Sequence, residues 1–338
     1  MRKEALARII VLVLVLAAIA IPLAAWQLGA QSTVVHARMA ETGGWMPESL
    51  TAEVGKPLHL RLTSDDVTHS FAVGQSSLPP VDVKPGEITE LTLTFDKPGR
   101  YTFYCTRWCS VNHWRMRGTI EVRGPDAGSK EPVKQPLYVT LGLDIDAVHH
   151  SDVIPAMKPS SARGAALVAD HSLEPLIAKY LIAKYYLSHS PVELWKEIRA
   201  EPGLQGLSDQ DIWDLVAFVW RSNLTPQALQ AGKQLYAANC AACHGEKGGD
   251  DGVFASQLAV SKTGQAAAMN PGETTTRPAD FTDPATMLSA SPAHLQGKIL
   301  RGGMGTGMPY WGPIFTEDQT WDLVDYLWAF QFNLEDKP

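Results

Sequence analysis

Cysteine is scarce in this sequence: four residues among 338, at positions 105, 109, 240 and 243. An even count in an exported chain ordinarily suggests disulfides, but here the four fall in two short motifs that each carry further ligand-type side chains. Basic excess is also missing. The chain has 29 Lys and Arg against 36 Asp and Glu, a formal net charge of −7, which excludes the basic stripe of a general nucleic-acid binder. No compositional extreme is present either: 45% hydrophobic, 19% charged, 27 Gly and 23 Pro exclude disordered and collagen-like chains. The length suggests two or three domains.

One long apolar run stands out. Ile9 to Trp26 is uninterrupted for eighteen residues, behind Arg2, Lys3 and Arg8. That is about the minimum length for a membrane-spanning helix, and the flanking charges place the N-terminus in the cytoplasm and the rest outside. Residues 1–31 are therefore read as a retained single-pass membrane anchor, with the soluble part on the periplasmic face. A cleaved signal peptide is the alternative, although Leu28-Gly29-Ala30 offers no clean cleavage site. Both readings export the remainder of the chain.

Residues 32–123 read as strands. Leu58 to Thr63 and Leu91 to Phe95 alternate inward and outward, punctuated by Gly55-Lys56-Pro57 and Lys97-Pro98-Gly99, which suggests a β-sandwich. A polar linker occupies 124–136. Two helical segments come next, 137–224 and 225–334, and they look related. Ser208 to Trp220 parallels Thr316 to Trp328 at an offset of 108 residues, and Ser190-Pro191, Leu194 and Ile198 parallel Ser291-Pro292, Leu295 and Ile299 at 101. Both copies open on a Ser or Thr cap and then place apolar and aromatic residues on one helical face. Two unrelated amphipathic helices would be the simpler account; two matches in the same order favour duplication.

Cys105 to Met116 has the pattern Cys-x3-Cys-x3-His-x2-Met, and His69 lies upstream in Asp66-Val67-Thr68-His69-Ser70-Phe71. Thiolate, imidazole and thioether together suit copper, since soft sulfur stabilises the cuprous state and nitrogen supports the cupric one. A mononuclear site needs one cysteine; two cysteines four apart on one loop can bridge two ions. A Cys105–Cys109 disulfide would leave His69, His113 and Met116 without a role, and zinc rarely recruits methionine. His36, His59, His149 and His150 lack ligand context and read as surface or packing residues.

The segment resembles the copper A domain of cytochrome c oxidase subunit II, and the similar domain of nitrous oxide reductase, over roughly residues 45–123. Lys84-Pro85-Gly86 and Lys97-Pro98-Gly99-Arg100-Tyr101 share in the likeness. The resemblance implies a cupredoxin sandwich holding a binuclear copper A centre. Cys105 and Cys109 would bridge, His69 and His113 would each bind one copper, Met116 would be a weak ligand, and the Arg107 carbonyl would complete the set. Oxidase subunits typically carry a glutamate at the position of Arg107 that also reaches a magnesium ion. An arginine cannot bind magnesium, so that second metal is in doubt here.

Cys240-Ala241-Ala242-Cys243-His244 is the Cys-x-x-Cys-His attachment signature of a covalent haem c, with His244 placed as proximal ligand. A redox dithiol is the competing reading of Cys-x-x-Cys; the adjoining histidine and the helix before it favour haem. Residues 225–334 resemble class I cytochrome c domains, and Met308 in Gly307-Met308-Pro309 looks like the distal ligand. Met304 is the rival, while Met269 and Met287 read as packing or loop residues. The earlier copy, 137–224, has no cysteine and lacks the stretch that would hold a distal methionine, so it is expected to be a haem-less cytochrome c-like domain.

The expected architecture is therefore multidomain: a transmembrane helix, an all-β cupredoxin sandwich, then all-α cytochrome c-like domains. The expected function is the electron-entry subunit of a haem–copper oxidoreductase, taking electrons through haem c to copper A and on to an integral-membrane catalytic subunit. An external electron donor is the other partner such a role allows. The run Ile9 to Trp26 holds no histidine, so an oxygen-reducing site would belong to the catalytic subunit. Alternatives are the equivalent subunit of a nitric oxide reductase, a free-standing membrane-bound shuttle, and a copper-delivery protein, which would need exposed, exchangeable ligands.

Overall fold

The computed structural model describes residues 12–16, 18, 32–76, 78–110, 113–125, 135–256, 277–303 and 308–334. The chain divides into two compact units, Met1–Val73 with Leu78–Ser129, and Gly74–Ser77 with Lys130–Pro338. Most of the apolar run Ile9 to Trp26, expected to be a membrane anchor, lies outside the described residues. Among the described residues no helix is long and apolar enough to cross a membrane.

Among the described residues the first unit contains nine strands: β1 (Thr33–Ala37), β2 (Trp45–Met46), β3 (Ser49–Glu53), β4 (Leu58–Ser64), β5 (His69–Val73), β6 (Val81–Val83), β7 (Thr89–Leu93), β8 (Gly99–Tyr104) and β9 (Arg117–Arg123). They form two sheets, β2-β1-β4-β7 and β3-β9-β8-β5-β6. The pairs β1–β4 and β3–β9 are parallel and the others antiparallel. Alternation in β4 turns Leu60 and Leu62 into the core, as period-two patterning requires. The second expected strand ends at Leu93, short of Phe95, which is nonetheless buried. Every residue of β5 is buried. Beneath it Trp45, Phe71 and Phe103 pack ring against ring, with centroids 5.1–5.7 Å apart. Such pairs add about 0.5–1.5 kcal/mol each beyond their buried area and give the strand that carries His69 a stiff floor.

The second unit is helical. Its principal helices are α1 (Ser161–Asp170), α2 (Pro191–Ala200), α3 (Asp209–Ser222), α4 (Pro226–Asn239), α5 (Ala241–His244), α6 (Pro292–Arg301) and α7 (Glu317–Leu327). Ser190, Ser208 and Thr316 close capping boxes at α2, α3 and α7, and Ser291 caps α6. A cap of this kind contributes about 1 kcal/mol and fixes where each helix starts.

The two parallel stretches recognised in the sequence occupy matching positions. A side-chain carbon at Gly164 of α1 would collide with the Asp214 carbonyl oxygen and sit 2.8 Å from Phe218 Cβ on α3. One at Gly232 of α4 would collide with the Asp322 carbonyl oxygen and sit 2.7 Å from Tyr326 Cβ on α7. Asp214 and Phe218 align with Asp322 and Tyr326 at the same 108-residue offset. Each helix pair thus crosses at a glycine pressed onto the same two residues of its partner.

The two helical segments are also bound to each other. The Asn333 N–H donates to the Pro159 carbonyl at 2.8 Å, and the Ser161 N–H donates to the Asn333 carbonyl at 3.0 Å. Trp220 meets the Trp328 ring at 5.9 Å, and the Tyr186 hydroxyl donates to Asp325 at 2.8 Å.

Candidate metal centres

The first centre lies where the β8–β9 connection folds over β5. Ligand atoms of His69, Cys105 and Cys109 lie within 4.8 Å of one another. The two sulfurs are 4.0 Å apart, about twice a disulfide bond length, and both thiols are free. Cys105 Sγ is 4.0 Å from His69 Nδ1 and 3.3 Å from the Arg107 carbonyl oxygen. Met116 Sδ is 3.4 Å from Cys109 Sγ.

The histidines are prepared as ligands. His69 is fully buried, and its Nε2 meets Asp66 Oδ1 at 2.7 Å. A proton held on Nε2 leaves the Nδ1 lone pair facing the cysteines. His113 is buried, and its Nδ1 has no hydrogen-bond partner among the described residues. An orphaned buried nitrogen is costly, and a metal would satisfy it. The donor set therefore fits copper: two thiols, two imidazole nitrogens, a thioether and a carbonyl.

Electrostatics point the same way. The hydrogen bond from Cys109 holds the Cys105 thiol down to about 4 despite burial, with His69 adding to the effect. The facing Cys105 sulfur, then burial, push Cys109 well above the ordinary thiol range. Burial lowers His113. At His69 burial works against the charged form, but the bonds to Cys105 and Asp66 outweigh it and raise the imidazole.

Neighbouring residues fix the loop. Ser70 Oγ accepts from the Thr106 N–H at 2.8 Å. Arg107 donates to Asp82 through Nε and Nη2, at 3.0 and 2.6 Å. Ser70 and Asp82 are cross-strand partners on β5 and β6, so consecutive loop residues are tied to one rung of the sheet. The Met116 carbonyl accepts from both the Trp45 indole and the Cys105 N–H, each at 3.1 Å. Asp66 lies within the sequence segment around His69, and its spacing could have singled it out. Asp82 has no such local signal.

The second centre is built at the end of α4. The Cys240 N–H donates to Tyr236 O and the His244 N–H to Cys240 O, which holds the Cys-x-x-Cys-His segment in one helical turn, α5. Burial pushes Cys240 up to about 12 and Cys243 up to about 11, so both stay as thiols, the form that adds to a vinyl group. His244 Nδ1 donates to the Ala279 carbonyl at 3.0 Å, its ring stacks on Phe281 at 4.5 Å, and burial lowers its pKa. The imidazole is thus neutral and oriented, with the Nε2 lone pair left for iron. Two thiols and a pre-set imidazole fit a covalent haem.

Met308 lies beyond the end of α6. The Gly303 N–H donates to the Met308 carbonyl at 3.2 Å, and Trp311 and Gly312 donate back to Ile299 and Leu300. Met304 and Met269 lie outside the described residues, and Met287 is buried as a packing residue. His36 and His59 bond to Asp65 and Thr92. His149, read from the sequence as a surface or packing residue, packs against His294, a residue that no sequence motif marks.

These features define a class: a cupredoxin-type sandwich with a thiolate-rich metal loop, followed in one chain by a c-type haem-attachment unit. Residues 36–123 match the family profile of the cytochrome c oxidase subunit II periplasmic domain, and residues 229–331 match that of cytochrome c. Curated relatives include two cytochrome c oxidase subunit 2 chains of Thermus thermophilus, each 35% identical over 80 residues, which is 24% of this chain and 58% or 47% of theirs. The chain thus spans about half the length of these relatives. Similar solved folds include the periplasmic domain of subunit II of cytochrome oxidase from Bradyrhizobium japonicum (18% identity, 28% of this chain and 85% of that one, TM-score 0.25). A chain of a haem–copper terminal oxidase dimer is also similar (22% identity, 36% and 99%, TM-score 0.24).

Proposed function

We propose that this chain is the electron-entry subunit of a haem–copper respiratory oxidoreductase, anchored to the membrane by residues 1–31 with its two units on the periplasmic face. The observation that carries the reading is the paired, unbridged Cys105 and Cys109 beside His69, in a segment that matches subunit II and on the same chain as Cys240, Cys243 and His244. When bound, a copper pair and a haem supply one-electron transfer. The chain's own residues do the positioning. Cys105, Cys109, His69 and His113, with Met116 and the Arg107 carbonyl, would hold the copper pair, the imidazoles through Nδ1. Cys240 and Cys243 would tether the haem, and His244 and Met308 would ligate it. The sandwich then delivers electrons to an integral-membrane catalytic subunit.

The repeated glycine crossing supports reading 137–224 as a cytochrome c-like domain that has lost its haem, beside the haem-bearing domain 225–334. Tyr180 and Trp213 are buried within it, and Tyr186 and Trp220 where it meets 225–334.

A nitric oxide reductase subunit is the second reading. It is favoured by Arg107, whose guanidinium is committed to Asp82 where oxidase subunits typically use a metal-binding glutamate.

Metal analysis and electron spin resonance of the purified chain test the centres. Two coppers per chain, a mixed-valence signal spread over both nuclei and one covalent haem are expected, and Cys109→Ser should abolish the copper signal while leaving the haem band. One copper, or zinc, in place of two would sink the reading. Co-purification from membranes, assayed with oxygen and with nitric oxide, separates the two acceptors.

A further inference from the structure

After the linker, residues 138–149 lie as a strap along the outer face of α6, the face formed by His294, Gly297, Lys298 and Arg301. Tyr138 and Ile145 close onto Gly297, where an added side-chain carbon would come within 2.9 Å of both. Asp146 pairs with Arg301 and Lys298, the latter at 3.3 Å. At the end of the strap the His149 ring meets His294, centroids 4.3 Å apart and tilted by 61°. Just beyond, the Ser151 N–H donates to the Ala285 carbonyl at 3.0 Å and holds the strap in register.

The chemistry of the two rings is unusual for a packing contact. His294 is 8% exposed, and its Nε2 is buried with no hydrogen-bond partner among the described residues. An orphaned buried nitrogen of this kind costs about 1–3 kcal/mol. His149 Nδ1 lies 3.2 Å from the Ala147 carbonyl. A proton held there leaves Nε2 with a free lone pair, the arrangement that orients histidines in metal sites. Burial, then His149 and Lys298, lower His294 to about 4, so at neutral pH it is an uncharged base beside a second imidazole. Imidazole nitrogens are among the donors that borderline divalent metals such as zinc take.

We propose that His149 and His294 form a binding site for a zinc-class divalent cation, distinct from the copper and haem centres, that clasps the strap to α6. Two imidazoles leave the remaining coordination positions of such an ion to water, one protein ligand fewer than in open catalytic zinc sites. The site needs neither electron transfer nor a partner subunit, so its test stands apart from that of the proposed function.

The test is zinc titration of the full chain, loaded with copper and haem, by calorimetry at pH 7.5. Wild type should take up one zinc more than His149→Gln and one more than His294→Gln, with His36→Gln behaving as wild type. X-ray absorption at the zinc edge should show imidazole nitrogens at about 2.0 Å that are lost in both variants. Unchanged copper and haem spectra verify folding, and His149, only partly buried, is the variant that keeps the test decisive if His294→Gln fails to fold. Equal zinc uptake by wild type and His149→Gln, or a zinc shell without imidazole, would overturn the proposal and leave the pair as a packing contact.

Discussion

Asp325 shows how a single side chain couples this fold to pH. It lies on α7, accepts from the Tyr186 hydroxyl at 2.8 Å, and burial pushes it up to about 7, with Asp322 adding to the effect. An unfolded aspartate titrates near 4. Between those values the folded chain keeps a proton that the unfolded chain has lost. This contribution is therefore most favourable below about pH 4 and declines as pH rises through 7. Asp325→Asn keeps an acceptor for Tyr186 but cannot ionise. Its melting temperature should match wild type below about pH 4 and exceed it increasingly toward pH 8; an offset independent of pH would refute the assignment. The copper ligands differ, because Cys105, Cys109, His113 and Met116 all fall within one stretch of the chain, Cys105 to Met116. That locality is why Cys105, Cys109, His113 and Met116 could be read from spacing alone, whereas the high pKa of Asp325 comes from burial in the folded helical unit, against the bond from Tyr186, 139 residues distant, which lowers it.

At the scale of elements, the paired helix crossings carry the argument for duplication. Gly164 and Gly232 each face a carbonyl oxygen and the Cβ of an aromatic residue, and neither backbone can retreat without separating its helix pair. Gly164→Ala and Gly232→Ala should each destabilise the helical unit by about 1–3 kcal/mol through overpacking. Thermal unfolding followed by the fluorescence of the buried Trp213, Trp220 and Trp328 measures it. A loss at Gly232 with none at Gly164 would show that the two crossings are not equivalent. The sequence displayed only half of this motif. The caps and amphipathic faces of α3 and α7 follow local rules, so they stood out as matching stretches. A glycine gives no sign of which helix it will touch, so Gly164 and Gly232 passed unnoticed, as did the Arg107–Asp82 clamp and the contact of His149 with His294 across 145 residues of sequence.

For the whole molecule, placing both centres on one chain changes the kinetics expected of the proposed relay. A tether raises the effective concentration of one centre near the other, so transfer need not wait for diffusional encounter. Flash reduction of the haem, followed at the copper band, should give a rate independent of protein concentration and only weakly dependent on ionic strength. A rate that scales with concentration would mean that the centres meet between molecules. The β-bridge between Ser160 and Asn333, with the contacts of Trp220 to Trp328 and Phe332, has a different consequence. A cytochrome excised at residue 225 would lose its closing backbone pairing and bare two large aromatic rings to water. The haem-bearing helices are thus not a portable module in this protein. The stretch from the strap to Asn333 must be inherited as one block.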